Sequence, residues 1–140
     1  MDPELYCFPA GLETLPALMC HLQAAAGDFD EASLLRAETA LEELFANSVH
    51  HGYGDTKGGM VWLGVLTQGP VLHIAYQDAA PAFDPFAELD TIIKSLDDPL
   101  DCRPVGGLGR LMVTRLADSA RYVRSGERNC IELRFSPRAG

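Results

Sequence analysis

Basic residues are scarce in this chain. Its 140 residues include 11 lysines and arginines against 20 aspartates and glutamates, which gives a formal net charge of −9 at pH 7. Binding to a nucleic acid backbone depends on neutralising phosphates with Lys and Arg, so a chain this acidic is poorly suited to it. We therefore expect no nucleic acid partner.

Long apolar runs are lacking as well. No stretch approaches the ~18 residues of a membrane span. The N-terminus, MDPELYCFPAG, has neither the basic start nor the continuous apolar segment of a signal peptide. We expect a cytoplasmic protein that does not bind a membrane.

Cysteines are few and dispersed. Cys7, Cys20, Cys102 and Cys130 form no C-x-x-C pair, which argues against a zinc knuckle or a redox motif, and we expect reduced, mostly buried thiols. Apolar residues (47%) and charged residues (22%) occur in ordinary globular proportions. Since a domain holds roughly 150 residues, the length predicts one domain over residues 1–140.

The charge is distributed unevenly along the chain. Residues 1–102 hold 17 acidic and 3 basic residues, whereas residues 103–140 hold 3 acidic residues and 8 arginines. Two interpretations are open. In the first, oppositely charged faces meet in the fold or lie in solvent; in the second, the arginine-rich end binds an anion. Taken alone, the asymmetry favours the first interpretation.

Apolar periodicity predicts the order of the secondary structure elements. Leu34, Leu41 and Phe45 belong to one stripe at ~100° per residue, which makes the helix over 31–51 the clearest of them. The predicted elements are a strand over 5–8, helices over 12–26 and 31–51, strands over 60–66 and 71–76, a helix from 106 to about 117, and a closing hairpin over 120–135. The long stretch over 79–105, with a weak helix over 89–96, is interpreted as a lid.

Polar side chains accompany several of these elements. Glu43 and Asn47 lie four residues apart on one helix face, away from the apolar stripe, a pattern that by itself is typical of a solvated face. Asp78 follows a strand, a common place for a ligand-contacting side chain. The glycines of 106–109 open a helix, where backbone N–H groups and the helix dipole attract anions. Together these features describe a nucleotide cleft.

Three ordered motifs resemble those of GHKL-type ATPases. Glu42-Glu-Leu-Phe-Ala-Asn-Ser-Val-His-His-Gly-Tyr53 resembles the N box, Asp78-Ala-Ala-Pro-Ala-Phe-Asp-Pro85 the G1 box, and Val105-Gly-Gly-Leu-Gly-Arg-Leu-Met112 the G2 box. The similarity is greatest to the small anti-sigma-factor serine/threonine kinases. It extends to the terminal strand over 129–133 and so covers almost the whole chain.

The resemblance implies a single histidine kinase-like ATPase domain of the Bergerat type. Its fold would be an α/β (α+β) two-layer sandwich, in which a mixed, mostly antiparallel sheet is covered on one face by about three helices. The nucleotide would lie between the helices and the lid over residues 79–105.

The resemblance also implies roles for single residues. Asn47 would bind Mg²⁺ through its side-chain oxygen, and Glu43 would be the catalytic base that accepts the proton of an attacking serine or threonine hydroxyl. Asp78 would accept a hydrogen bond from the adenine amino group of ATP. The residues expected to hold the phosphates are Gly106, Gly107, Leu108 and Gly109, with Arg103 or Arg110 as charge partner.

His51 and Phe83 also belong to the expected cleft, and each has a second interpretation. Adjacent residues point about 100° apart on a helix, so His50 and His51 do not readily share a metal ion. We expect His51 to be a structural hydrogen-bonding residue beside the nucleotide. Phe83 would either contact the nucleotide or, as the favoured interpretation of a single aromatic, anchor the core under the lid.

The G1 box departs from the family pattern at Ala80 and Ala82. The family has a glycine at the first position, and if that glycine requires a positive φ, alanine costs on the order of 1 kcal/mol and weakens adenine binding. At the second position proline is common in these kinases. Here Pro81 lies one residue earlier, which indicates a shifted loop.

Two functions are compatible with these residues. An anti-sigma-type kinase would use ATP and Mg²⁺ to phosphorylate a STAS-domain antagonist, with a sigma factor as alternative partner, and members of that family are often homodimers. The alternative is a binding module that sequesters a partner and has a weak or vestigial nucleotide pocket, which Ala80 favours. Intact Glu43 and Asn47 favour the kinase.

Other proteins with the same motifs are not expected. A sensor histidine kinase would need a pair of dimerisation helices and a phosphoacceptor histidine before Leu5. A gyrase or a large chaperone of this superfamily would need a second domain.

Overall fold

The computed structural model describes residues 2–94 and 107–139. The five strands are β1 (Tyr6–Pro9), β2 (Met60–Gln68), β3 (Val71–Asp78), β4 (Ser119–Ser125) and β5 (Arg128–Phe135). The four α-helices of the described residues are α1 (Leu15–Ala26), α2 (Glu31–Asn47), α3 (Leu89–Lys94) and α4 (Gly107–Leu116). The predicted order of elements is confirmed.

The strands form one sheet in the order β1-β2-β3-β5-β4. All four strand pairs are antiparallel, so the sheet is antiparallel throughout where a mixed sheet was expected. Along β3 the side chains alternate: Leu72, Ile74 and Tyr76 are buried and join the apolar residues of α1 and α2 in the core. The predicted two-layer sandwich is confirmed.

Helix α2 runs through the middle of the core. Asp30 caps its N-terminus by accepting a hydrogen bond from the Ser33 N–H (2.9 Å), which satisfies a donor that the first turn leaves free. Its predicted apolar stripe faces the core: Leu41 and Phe45 are fully excluded from solvent, and Leu34 is partly buried. The α-helix ends at Asn47, and the rest of the predicted helix is a π turn over Ser48–Gly52, in which the Tyr53 N–H donates to the Ser48 carbonyl (2.8 Å).

The region of the predicted lid begins directly after β3. Its described part includes α3, within the weak helix expected over 89–96, and this helix is the fourth where about three were expected. Residues 95–105 of the predicted lid lie outside the described residues.

The cysteines are less buried than expected. The expectation of mostly buried thiols is wrong for Cys7 and Cys20, which are exposed, because one lies on the edge strand β1 and the other on the outer face of α1. Cys130 is half-buried, and Cys102 lies outside the described residues. Among the described helices, none is long and apolar enough to cross a membrane.

Candidate functional site

A cavity of about 320 Å³ opens where the end of α2 meets the end of β3. Five of the residues expected to form the nucleotide site line it, namely Asn47, His51, Asp78, Phe83 and Arg110. They come from three separate parts of the chain, and only the folding of α2, β3 and α4 against one another brings them together. A volume of this size is within the range of small-molecule sites.

The carboxylate of Asp78 is fixed at the base of this cavity. The side chain is 9% exposed, and its Oδ2 accepts a hydrogen bond from the Ser48 hydroxyl (2.7 Å). Its Oδ1 accepts one from the Asn129 amide (2.8 Å) and one from the Ala80 N–H (3.2 Å). Because a buried carboxylate is costly unless it is hydrogen-bonded, these three donors stabilise Asp78 in one orientation.

Asn47 presents an uncommitted amide to the cavity. Its Nδ2 is buried and has no hydrogen-bond partner in the described residues, and a buried donor without a partner costs free energy. The described residues include no group of three or more His, Cys, Asp or Glu side chains that could hold a metal ion. Mg²⁺ commonly takes few protein ligands and completes its shell with water and phosphate oxygens, so a single amide oxygen fits this ion.

Glu43 lies one helical turn before Asn47, between α2 and α4. It is half-buried, and its carboxylate forms no hydrogen bond or ion pair with the described part of the chain. The carboxylate rests against the backbone of Gly109, where an added Cβ would overlap Oε2 and would come within 3.2 Å of the carboxyl carbon. Glu43 is not among the residues that line the cavity, and it lies one turn away from them in a space that exists because residue 109 has no side chain.

Phe83 lies at the mouth of the cavity. Its ring is 51% exposed, and the guanidinium of Arg110 lies over it, 5.2 Å from the ring centroid. The favoured interpretation of Phe83 as a core anchor is therefore wrong. The reason is the preceding loop, where the Phe83 N–H donates to Asn129 (3.1 Å) and the ring is turned outward toward α4.

His51 lines the cavity without the hydrogen bond that was expected of it. Its side chain is exposed and makes no hydrogen bond within residues 2–94 and 107–139. The neighbouring His50 instead pairs with Asp55 (Nδ1 to Oδ1, 2.7 Å), away from the cavity. The two histidines thus point apart, as expected from their spacing.

The glycine-rich motif forms the first turn of α4. Gly107, Leu108 and Gly109 belong to this turn, and the Leu108 side chain is 50% exposed. Gly106 and Arg103, the other residues expected to hold phosphates, lie outside the described residues.

A family model for the histidine kinase-like ATPase domain matches residues 8–135. The chain belongs to this family. Its fold is the GHKL type, and membership implies that the domain binds ATP. Comparison with curated protein sequences gave no match.

A solved structure with low sequence identity shows the same fold. The RsbU and RsbW domains of Rv1364c from Mycobacterium tuberculosis match 99% of this chain with a TM-score of 0.60 and 16% identity. The ATPase domain described here spans only about a third, 34%, of that chain. The histidine kinase AdeS of Acinetobacter baumannii matches 97% of this chain and 68% of its own, with a TM-score of 0.48 and 11% identity.

Ala80 does not strain the backbone of this ATPase domain. The described non-glycine residues with positive φ are Asp55 and Glu88, so Ala80 lies outside the left-handed region. Its methyl group is buried and faces Gly52, where an added Cβ would come within 3.0 Å of it. The cost expected from a positive φ therefore does not arise, and Gly52 leaves the room that the methyl group needs.

Several residues of the site were not identified from the sequence. Ser48 and Asn129 bind Asp78, and the Tyr76 hydroxyl donates to Ser48 (2.7 Å). Burial raises the pKa of Tyr76 well above its usual range, so this hydroxyl remains a donor. Arg124 donates to the Ala80 carbonyl (2.8 Å). No local motif marks these residues, because each acts through a partner that is distant in the sequence.

Proposed function

We propose that this domain is an ATP-dependent serine/threonine protein kinase of the anti-sigma-factor type. It would transfer the γ-phosphoryl group of ATP to a serine or threonine of a small STAS-domain antagonist in a bacterial partner-switching system. One observation carries the proposal: Glu43 and Asn47, one turn apart on α2, both present polar groups that are unpaired within the described residues. A domain that only bound a partner would have no chemical need for both.

Asp78, Asn47 and Arg110 would bind the nucleotide. Asp78 would accept a hydrogen bond from the adenine amino group, and Arg110 together with the first turn of α4 would attract the phosphates. Asn47 would hold Mg²⁺, which neutralises part of the phosphate charge when bound. Gly106, Arg103, His51 and Leu108 remain part of the proposed site.

Glu43 would act on the protein substrate. Its carboxylate would accept the proton of a serine or threonine hydroxyl while that oxygen bonds to the γ-phosphorus and the bond to ADP breaks. A carboxylate that is not held by another charged group of the described chain is free to accept this proton. The substrate hydroxyl would approach between α2 and α4, where Glu43 lies.

The partners belong to the same proposal. A STAS-domain antagonist would be the substrate, a sigma factor would be the alternative partner, and the domain would act in the cytoplasm, with a homodimer as the expected assembly. The architecture of Rv1364c, which joins RsbU and RsbW domains, supports a role in partner switching at the level of the fold.

A second candidate is a regulatory binding module without kinase activity. The Ala80 methyl group favours it, because it lines the cavity close to Asp78 and takes up space beside the proposed adenine position. The two candidates differ in one measurable property, the transfer of phosphate.

The test combines calorimetric titration with ATP and Mg²⁺ and a transfer assay with γ-labelled ATP and a STAS-domain protein. Asp78→Asn should abolish binding, because an amide presents an NH₂ group to the adenine amino group. Asn47→Ala should weaken binding. Glu43→Gln should bind ATP as wild type does but lose phosphoryl transfer by about 100-fold or more, which is the usual contribution of a catalytic base.

His50→Ala is the matched control, since His50 lies next to His51 but pairs with Asp55 outside the cavity. ATP binding without transfer to any STAS-domain protein would reject the kinase in favour of the binding module. Absence of binding at millimolar ATP would reject nucleotide-dependent function for this domain altogether.

A further inference from the structure

We propose that Asn129 is a positioning residue for adenine recognition, which holds Asp78 and the loop after β3 in the arrangement that reads the adenine amino group. The inference rests on the proposed function, because it assigns Asn129 a role in the same nucleotide site. Asn129 lies on β5, directly opposite Asp78 in the register of β3 and β5.

Both the nitrogen and the oxygen of the Asn129 amide are hydrogen-bonded. The residue is 5% exposed, and its Nδ2 donates to Asp78 Oδ1 (2.8 Å), to the Pro81 carbonyl (3.1 Å) and to the Ala80 carbonyl (3.3 Å). Its Oδ1 accepts from the Tyr122 hydroxyl (2.6 Å) and from the Phe83 N–H (3.1 Å). One side chain thus connects β4, β5, the proposed adenine-binding carboxylate and three residues of the loop.

An amide meets both demands of this position. The Asp78 carboxylate and the two loop carbonyls require a donor, whereas the Phe83 N–H requires an acceptor. A carboxylate has no donor when ionised, and an apolar side chain has neither group. Asparagine supplies both from one short, buried side chain.

The hydrogen bonds of Asp78 leave room for a ligand. An ionised carboxylate has about four acceptor positions, and three are taken by Ser48, Ala80 and Asn129. One position remains for the amino group of adenine. This position lies on Oδ2, since Oδ1 already accepts two hydrogen bonds. By holding Oδ1, Asn129 orients the carboxylate together with Ser48 and so contributes to the direction in which the free position points.

The test measures selectivity as well as affinity. ATP is compared with purine riboside triphosphate, which lacks the 6-amino group and so cannot donate to Asp78. For wild type we expect a preference for ATP of about tenfold, the value of one hydrogen bond to a charged group. Asn129→Ala should reduce ATP affinity by about tenfold and bring the preference close to one, since Asp78 loses one of its three donors and the loop after β3 loses its connection to β5.

A variant of the same shape gives a second measurement. Asn129→Asp places two carboxyl groups within 2.8 Å, and at this distance both do not ionise together. ATP affinity should approach that of wild type at pH 5.5, where a shared proton restores the donor to Asp78, and should fall as the pH rises to 8.5. The titratable and charged groups near this pair, Tyr76, Tyr122, Arg124 and His51, are the same in wild type, which is measured over the same pH range as the reference.

Ser33→Ala controls for stability alone, because Ser33 is a buried, hydrogen-bonded residue outside the cavity. Thermal melting identifies the folded fraction of each variant. If Asn129→Ala weakened both nucleotides equally, with no pH dependence in Asn129→Asp, the residue would be structural only and the inference would be wrong. If wild type bound neither nucleotide, the proposed function would fail and the inference with it. If wild type preferred ATP and Asn129→Ala had the same ATP affinity and the same preference, the inference would be wrong and the proposed function would stand.

Discussion

At the scale of single residues, Gly109 leaves the space in which the proposed catalytic base lies. The Glu43 carboxylate occupies the space that a side chain at position 109 would fill. Glycine within a helix is unfavourable by about 1 kcal/mol relative to alanine, so the position is not explained by helix stability. We infer that Gly109 serves Glu43 as well as the phosphates.

Gly109→Ala should therefore separate binding from catalysis. The added methyl group displaces the carboxylate of Glu43, the flexible end of its side chain, so we expect little loss of stability. Phosphoryl transfer should fall on the order of 10- to 100-fold, since small misplacements of a reacting group have effects of this size. The measurement compares kcat for transfer with the Kd for ATP, which should change less.

The background of Glu43→Ala provides the control for this prediction. Without the carboxylate, Gly109→Ala meets no obstacle and should stabilise the domain by about 0.5–1 kcal/mol in urea unfolding, as expected from helix propensity. Equal stability changes in both backgrounds, with transfer unaffected, would contradict the proposed role of Gly109.

At the scale of elements, two arginines from distant parts of the chain bind the C-terminal end of α4. Arg36 of α2 donates to the Leu116 carbonyl at the end of α4 (2.7 Å) and to the Ser136 carbonyl. Arg138 donates to the Arg115 and Leu116 carbonyls. Carbonyl groups at a helix C-terminus lack partners within the helix, so the two guanidinium groups satisfy and stabilise this end.

Arg36→Gln tests the importance of this contact. Arg36 is largely buried, with a side-chain exposure of 15%. Its loss removes one of the two donors of the Leu116 carbonyl and the donor of the Ser136 carbonyl, and we expect a loss of about 2–3 kcal/mol in the free energy of unfolding. Urea denaturation measures this value.

Arg121→Gln is the matched comparison. Its ion pair with Glu132 is 3.9 Å long and exposed to solvent, with side-chain exposures of 72% and 58%. Such pairs contribute about 1 kcal/mol or less. Similar losses for both variants would show that Arg36 does not act through buried carbonyls.

At the scale of the whole molecule, Asp118 connects α4 to the segment after β5. Its carboxylate accepts hydrogen bonds from the Ser136 N–H (2.7 Å) and from Arg138 (3.1 Å). Partial burial acts to raise the pKa of Asp118, but these hydrogen bonds and the charges of Arg138 and Arg36 outweigh it and lower the pKa.

Because the pKa of Asp118 is lowered in the folded chain, the free energy of unfolding depends on pH in the acid range. The unfolded chain binds a proton at Asp118 near pH 3.9, and the folded chain does so only at lower pH, so the contribution to stability is complete above pH 5. It should decline as the pH falls through the lowered folded pKa. Urea unfolding of wild type and Asp118→Asn gives the free energy of unfolding at pH 7, 5 and 3. The difference between the two proteins should be constant from pH 7 to 5 and smaller at pH 3. A difference that does not change down to pH 3 would contradict this assignment.

The sequence was sufficient to predict the features that depend on residues close together along the chain. Glu43 and Asn47 share a face because residues four apart lie one above the other on any α-helix, and their apolar neighbours identified that helix. The hairpin of β2 and β3 followed in the same way from two short β runs separated by a tight turn. Phe83 and the exposed cysteines were misjudged because burial depends on what packs against a residue, which local pattern does not reveal.

The sequence by itself thus determined the helices, the strands and the separate motifs, since periodicity and turn residues act over a few positions. Only the tertiary structure decided how they meet. The pairing of β3 with β5 puts Asn129 beside Asp78 across 51 residues of chain, and the packing of α2 on α4 puts Glu43 against Gly109. Such contacts depend on register and packing over the whole core, and these arise when distant apolar surfaces are buried together.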